Sequence, residues 1–291
     1  MAGAKEIRGK IKSVQNTQKI TRAMEKVAMS KMRKAQERMT AAKPYAGKIY
    51  EMVGRVAQAS SDYVHPFMVQ REVKRVAFLV VTTDRGLCGG FNTAVSRFAR
   101  NKTRALIEQG KTVKLLTVGR KGRDFLRREY RRNIVGSIDF VGKKQISFDD
   151  AVEIANQVTE MLSGQQFDVC TLVYNRFKNV ITQVPSEQRL IPASIEGAPS
   201  ETANGPRASY EYEPGEEEIL AELLPRNLAI QIYRALLESA AGEQGARMTA
   251  MDNATRNAGD MIAKLTLNYN RQRQANITKE LIEIISGAEA L

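Results

Sequence analysis

The chain lacks tryptophan, has a single histidine (His65) and carries two cysteines, Cys88 and Cys170, in 291 residues. Each shortage excludes a class of chemistry. One histidine leaves imidazole-based acid–base catalysis little to draw on. Two distant cysteines with no CxxC rule against a zinc site, a haem attachment or a disulfide framework, and suit a reducing compartment. Aromatics are only 6% of the residues, which favours helices over a β-sandwich. No apolar run approaches the ~20 residues of a membrane helix. The charged start MAGAKEIRGK has no apolar h-region, so a secretory signal is not expected. No Walker-type GxxxxGK[ST] and no GxGxxG occurs.

What is present is charge, unevenly spread, and long helical periodicity. Residues 1–60 hold 14 Lys/Arg against 4 Asp/Glu, a net +10, whereas residues 214–291 hold 8 against 11, a net −3. The two ends therefore attract each other, with a basic surplus left for acidic partners. Stepping four then three from Ile7 through Ile11, Val14, Gln18, Thr21, Glu25, Ala28 and Met32 to Val56 meets twelve apolar positions in fifteen. That is a heptad seam. Its exceptions fall at 18–25, where the apolar residues move to Ile20, Met24 and Val27, so a local slip of the seam is expected. Pro44 should kink this helix or free a carbonyl. A second seam runs from Leu237 through Ala241, Gln244, Met248, Met251, Thr255, Ala258, Ile262 and Leu265 to Tyr269. Glu216–Glu218 read as its acidic first turn, and Pro225 is expected to break or bend the helix, with the long helix starting near Arg226.

Both helices join the same intervening segment, so they should pair antiparallel. At 1.5 Å per residue the first runs out near residue 278 of the last. Beyond it, Ile277, Leu281, Ile284, Ile285 and Ala288 form an apolar tip that needs another chain to cover it.

Residues 75–190 alternate apolar strands (75–82, 113–118, 133–140, 167–175, 180–192) with helical patterns (91–109, 120–130, 148–162). This predicts an α/β layer with a largely parallel sheet, Pro185 placing the last strand at an edge or a bulge. Residues 193–214 read as a loop. The expected fold class is α/β: a long antiparallel coiled coil of N- and C-terminal helices plus a Rossmann-like domain. The expected division is 1–60, 61–213 and 214–291. TTDRGLCGGFN (82–92) sits where dinucleotide loops sit, but reads as a tight turn, with Asp84 and Arg85 as an exposed ion pair. No catalytic, cofactor or metal residue is expected.

The segments KEIRGKIKSVQNTQKITRAMEKVAMSKMRKAQ (5–36), TTDRGLCGG (82–90), GEQGARMTAMDNATRNAGDMI (242–262) and RQANITKELIEIISGAEAL (273–291) resemble the γ subunit family of F-type ATP synthases, over essentially the whole chain. The resemblance implies a central rotor stalk that transmits torque between a membrane c-ring and catalytic β subunits, without phosphoryl chemistry of its own. Implied partners are the α and β subunits of an α3β3 ring, the ε subunit and the c-ring. No nucleic acid is expected, and no cofactor. Implied rotor–stator contacts are Met24, Arg247, Arg273, Gln274, Thr278 and Glu280. The implied location is peripheral, on the cytoplasmic face of a bacterial inner membrane. Two other classes compete. A basic coiled-coil nucleic-acid binder would need a phosphate-facing stripe and steep salt dependence, and an α/β enzyme with a helical arm would need an internal ligand site.

Overall fold

The computed structural model describes residues 2–59, 65–143, 145–193 and 215–289. Helix α1 spans Ala2–Ala59 and helix α5 spans Glu216–Glu289. Between them lie β1 (Arg75–Val81), α2 (Phe91–Glu108), β2 (Thr112–Val118), α3 (Arg120–Tyr130), β3 (Ile134–Ile138), α4 (Phe148–Ser163), β4 (Val169–Phe177) and β5 (Gln183–Ile191). The chain divides into two compact units, one of residues 31–246 and one of residues 1–30 with 247–291.

In the larger unit the five strands lie in the order β3-β2-β1-β4-β5. The first four are parallel and β5 returns antiparallel to β4. The period-two alternation of β1 assigns its faces. Val76, Phe78 and Val80 join Val95 and Ala99 of α2 and Leu126 of α3 in one core. Ala77, Leu79 and Val81 join Ile154 and Val158 of α4, Val53 and Val56 of α1, and Leu224, Leu228 and Ile232 of α5 in the other. Both faces of the sheet are thus covered, as parallel strands require. β5 is the edge strand expected from Pro185, which sits opposite Asn175. Helix α4 starts in a capping box: Asp150 N–H donates to Ser147 Oγ at 3.3 Å and Ser147 N–H to Asp150 Oδ2 at 2.8 Å. The loop expected over 193–214 lies, apart from residue 193, outside the described residues.

Pro225 does not break α5. The helix runs through it from Glu216, ten residues upstream of the expected start near Arg226. A proline in mid-helix removes one hydrogen bond, and burial of Leu220, Leu223, Leu224 and Leu228 around it holds the turn regardless. Pro44 is likewise contained within α1.

The turn after β1 also differs from expectation. Asp84 makes no exposed ion pair with Arg85. It is half-buried, and its two oxygens accept N–H bonds from Arg120 and Phe140, both at 2.9 Å, tying together the ends of three strands. Asn92 closes the same turn, accepting from Thr83 N–H at 3.0 Å and donating to Thr83 Oγ1 at 2.9 Å. Gly119, at φ +91°, and Gly122 both lie where a Cβ would come within 2.7 Å of Thr82, so the first turn of α3 can press against the end of β1.

Candidate functional site: the two-helix segment and its single-helix tip

Among the described residues the smaller unit consists of the first half of α1 and the C-terminal part of α5. Gly3 lies beside Gln272, and Gln18 Nε2 donates to the Thr255 carbonyl at 3.3 Å. Numbers rise on one helix as they fall on the other, so the pairing is antiparallel as expected. The predicted seam positions Ile7, Ile11, Val14, Gln18, Thr21, Glu25 and Ala28 are all half-buried or buried.

The expected slip at 18–25 does not occur. Ile20 and Val27 are 60% and 55% exposed, while Thr21 is buried. The seam keeps its register by pairing its polar residues: Thr21 Oγ1 and Thr255 Oγ1 are 2.7 Å apart, Thr21 Oγ1 also reaches the Gln18 carbonyl at 3.1 Å, and Thr255 Oγ1 the Met251 carbonyl at 2.8 Å. Each hydroxyl is satisfied, so nothing drives the helix to rotate its isoleucine inward.

The proposed contact residues fall into two groups. By the Gln18–Thr255 register, Met24 and Arg247 stand at nearly the same level, both half-buried. Arg273, Gln274, Thr278 and Glu280 lie about 40 Å further along α5 and are exposed. Ile277 (48%), Leu281 (54%), Ile284 (67%) and Ile285 (57%) are exposed with them, as is Ala288.

The geometry of this tip has a further feature. Continuing the coiled-coil seam past Tyr269 by threes and fours gives Gln272, Asn276, Lys279 and Glu283. These are polar and satisfy one another: Gln272 Nε2 donates to Asn276 Oδ1 at 3.4 Å, and Lys279 pairs with Glu283 at 3.7 Å. The seam therefore turns hydrophilic where α1 ends. The apolar stripe Ile277–Leu281–Ile284–Ala288 opens on a different side of α5, roughly 140° away at about 100° per residue. Arg273 and Glu280 flank that stripe on one side, and Gln274 and Thr278 on the other. Ile282, 57% exposed, lies apart from it.

Nothing in this arrangement is poised for bond-making chemistry. Among the described residues no cluster of His, Cys, Asp and Glu could hold a metal ion. Cys170 is fully buried, and its thiol is pushed up to about 12 by that burial. His65 is buried and its imidazole held below its ordinary value for the same reason.

Fold and tip together define a class: an α/β protein with an antiparallel two-helix segment and an uncovered apolar helix end, built for contact with other chains. Comparison with known proteins makes this specific. The family model described as ATP synthase matches residues 3–291. The chain is 56% identical, over the full length of both, to the ATP synthase gamma chain of Acidiphilium cryptum (strain JF-5), and 52% identical, again over both full lengths, to that of Rhodospirillum rubrum. Among solved structures it is similar to a chain of the central stalk/c-ring of the Tetrahymena thermophila mitochondrial ATP synthase, with 30% identity, a TM-score of 0.64, and coverage of 81% of this chain and 99% of that one. A chain of the Euglena gracilis mitochondrial ATP synthase shares the fold at a TM-score of 0.69, covering 99% of this chain and 94% of that one at 20% identity. The chain belongs to the ATP synthase γ chain family.

Proposed function

We propose that this chain is the central rotor shaft of a proton-translocating F-type ATP synthase, a non-catalytic subunit that carries torque between the membrane c-ring and the catalytic β subunits. The observation that carries the reading is the tip. Its apolar stripe starts where α1 stops, and it faces away from the polar continuation of the seam. A stripe so placed meets no partner among the described residues, and five apolar side chains on one side of a lone helix fit a surrounding apolar seat. The α3β3 ring supplies that seat, and the body of residues 61–213 meets ε and the c-ring. In this reading residues 1–60 and 214–291 form the shaft.

Arg273, Gln274, Thr278 and Glu280 touch β beside the stripe, and Met24 with Arg247 makes a second contact lower on the shaft. Arg273 offers a planar fork to a carboxylate that a lysine cannot reproduce. The chain works peripherally, on the cytoplasmic face of a bacterial inner membrane. Its full-length proteobacterial relatives support that placement, and none of its described helices is long and apolar enough to cross a membrane. Co-expression of the tagged chain with α, β and ε tests the proposal. Recovery of an ATP-hydrolysing assembly is expected; a chain that purifies as a stable, monodisperse monomer and draws down none of them defeats it.

A further inference from the structure

The larger unit contains an apolar cavity of about 240 Å³ between α1, the start of α4 and α5. Its walls are Met39, Ala42 and Ala46 of α1, Phe148 of α4, and Tyr233 and Leu237 of α5. The space has a clear origin in the sequence. The α1 seam carries alanine at 42 and 46, between the larger seam residues Met39 and Ile49, which leaves room beside Tyr233 and Leu237 of α5. The rings of Phe148 and Tyr233 meet edge-on, with centroids 5.7 Å apart, so they brace one wall and cannot easily fold inward.

Two cations stand at the rim. Lys43 and Arg234 both line the cavity and both are exposed. Arg234 is engaged by Glu238, Nε to Oε1 at 3.1 Å. Lys43 has no anionic partner among the described residues. An apolar hollow open to solvent on one side, with one uncommitted ammonium at its rim, selects for a particular chemistry. An aromatic ring laid against these apolar walls removes them from water, which favours its binding. At interior packing density about 180 Å³ of ligand fits, the size of a bicyclic aromatic.

We propose that this cavity is a binding site for a small amphiphilic aromatic carboxylate, its ring system between Ala42, Ala46 and Leu237 and its carboxylate on Lys43. The occupant touches α1, α4 and α5 together, and so joins both long helices to the sheet layer through a single molecule. Neither the torque-transmitting role nor the tip requires such a site.

The test uses the assembled synthase complex, with 2-naphthoate as probe and 2-naphthalenemethanol as its neutral counterpart, read by ligand-detected NMR and calorimetry. Ala46→Leu fills the chamber with apolar volume and should leave the unfolding midpoint equal or higher, which establishes that the variant is folded. Saturable binding of one naphthoate per γ chain is expected. Ala46→Leu should weaken both probes at least about tenfold, and Lys43→Gln should weaken naphthoate about fivefold while leaving the alcohol unchanged. Absence of saturable binding, binding indifferent to Ala46→Leu, or equal effects of Lys43→Gln on both probes would each overturn the proposal. So would binding to the purified chain that vanishes in the complex, since the cavity would then be the seat of another subunit.

Discussion

An aspartate at position 284 should uncouple the shaft from its ring without unfolding it. Ile284 is 67% exposed in the chain by itself, and Ile277, Leu281 and Ile285 are each about half exposed. Full burial of an isoleucine or leucine side chain contributes ~1.5–3 kcal/mol, so covering the exposed half of each is worth about 1 kcal/mol, or roughly 4 kcal/mol for the four. Ile284→Asp removes one such share and places a carboxylate in an apolar seat, where leaving it unpaired costs several kcal/mol more. A loss of at least ~3 kcal/mol corresponds to a more than hundredfold weaker seat. The free chain should hardly notice, because residue 284 contacts nothing that stabilises it. Helicity and denaturation midpoint therefore stay at wild-type values, while recovery of the α–β–γ complex, or its ATP hydrolysis, falls sharply. Asn276→Asp is the matched control: the same charge, two turns away, on the polar side. The reasoning is refuted if Ile284→Asp assembles and turns over like wild type, or if Asn276→Asp does equal damage.

Three further outcomes follow from named contacts. Replacing Arg273 and Gln274 together by alanine should leave assembly intact and change synthesis and hydrolysis rates about 10- to 100-fold, the effect of losing a charge-assisted bond of ~1.5–3 kcal/mol; wild-type rates for both reactions would discard the contact. Asp168 accepts N–H bonds from Lys74 and Arg75 at 3.1 and 2.8 Å and pairs with the Arg75 guanidinium at 2.7 Å, which holds its carboxyl below the usual range. A depressed carboxyl contributes stability above its unfolded-state value that is lost as pH falls through the folded one, so Asp168→Ala should cost ~1–3 kcal/mol at pH 7 and much less in acid, by urea titration at both pH values; an equal deficit at both would rule out the charged pair. Thr255→Val should cost only about 1 kcal/mol, because Thr21 retains the Gln18 carbonyl as its acceptor, and a drop above ~3 kcal/mol in the same titration would mean that the hydroxyl pair holds more of the coiled coil than its bonds account for.

The elements of the α/β body were legible because each strand is a short apolar run and each helix has its own period, with boundaries within a few residues. Two errors share one cause, which is that periodicity counts apolar residues and cannot weigh pairings. Ile20 and Val27 looked like a displaced seam, yet Thr21 and Thr255 satisfy each other across the helices and keep Gln18 and Glu25 facing inward. Pro225 reads as a break or bend because local propensity disfavours it in mid-helix, yet leucines on both sides bury that turn and the helix continues through it. Asp84 was misjudged for a related reason: its partners, the N–H groups of Arg120 and Phe140, come from turns remote in sequence. At the tip the apolar stripe was readable at once. Its rotation from the coiled-coil seam follows from the same spacing, and the structure adds that the polar side along Gln272, Asn276, Lys279 and Glu283 satisfies itself.

The end of α1 beside Gln272 also sets a mechanical boundary. Below it, two helices bonded side by side resist bending far more strongly in the plane that contains both axes than at right angles to it. Above it, the last four to five turns of α5 are a single rod with no preferred plane of flexure. Under load the two-helix length behaves as a stiff, direction-sensitive beam and the tip as a compliant universal joint. Sideways displacement of the tip relative to the two-helix length is thus taken up first by bending of the single helix.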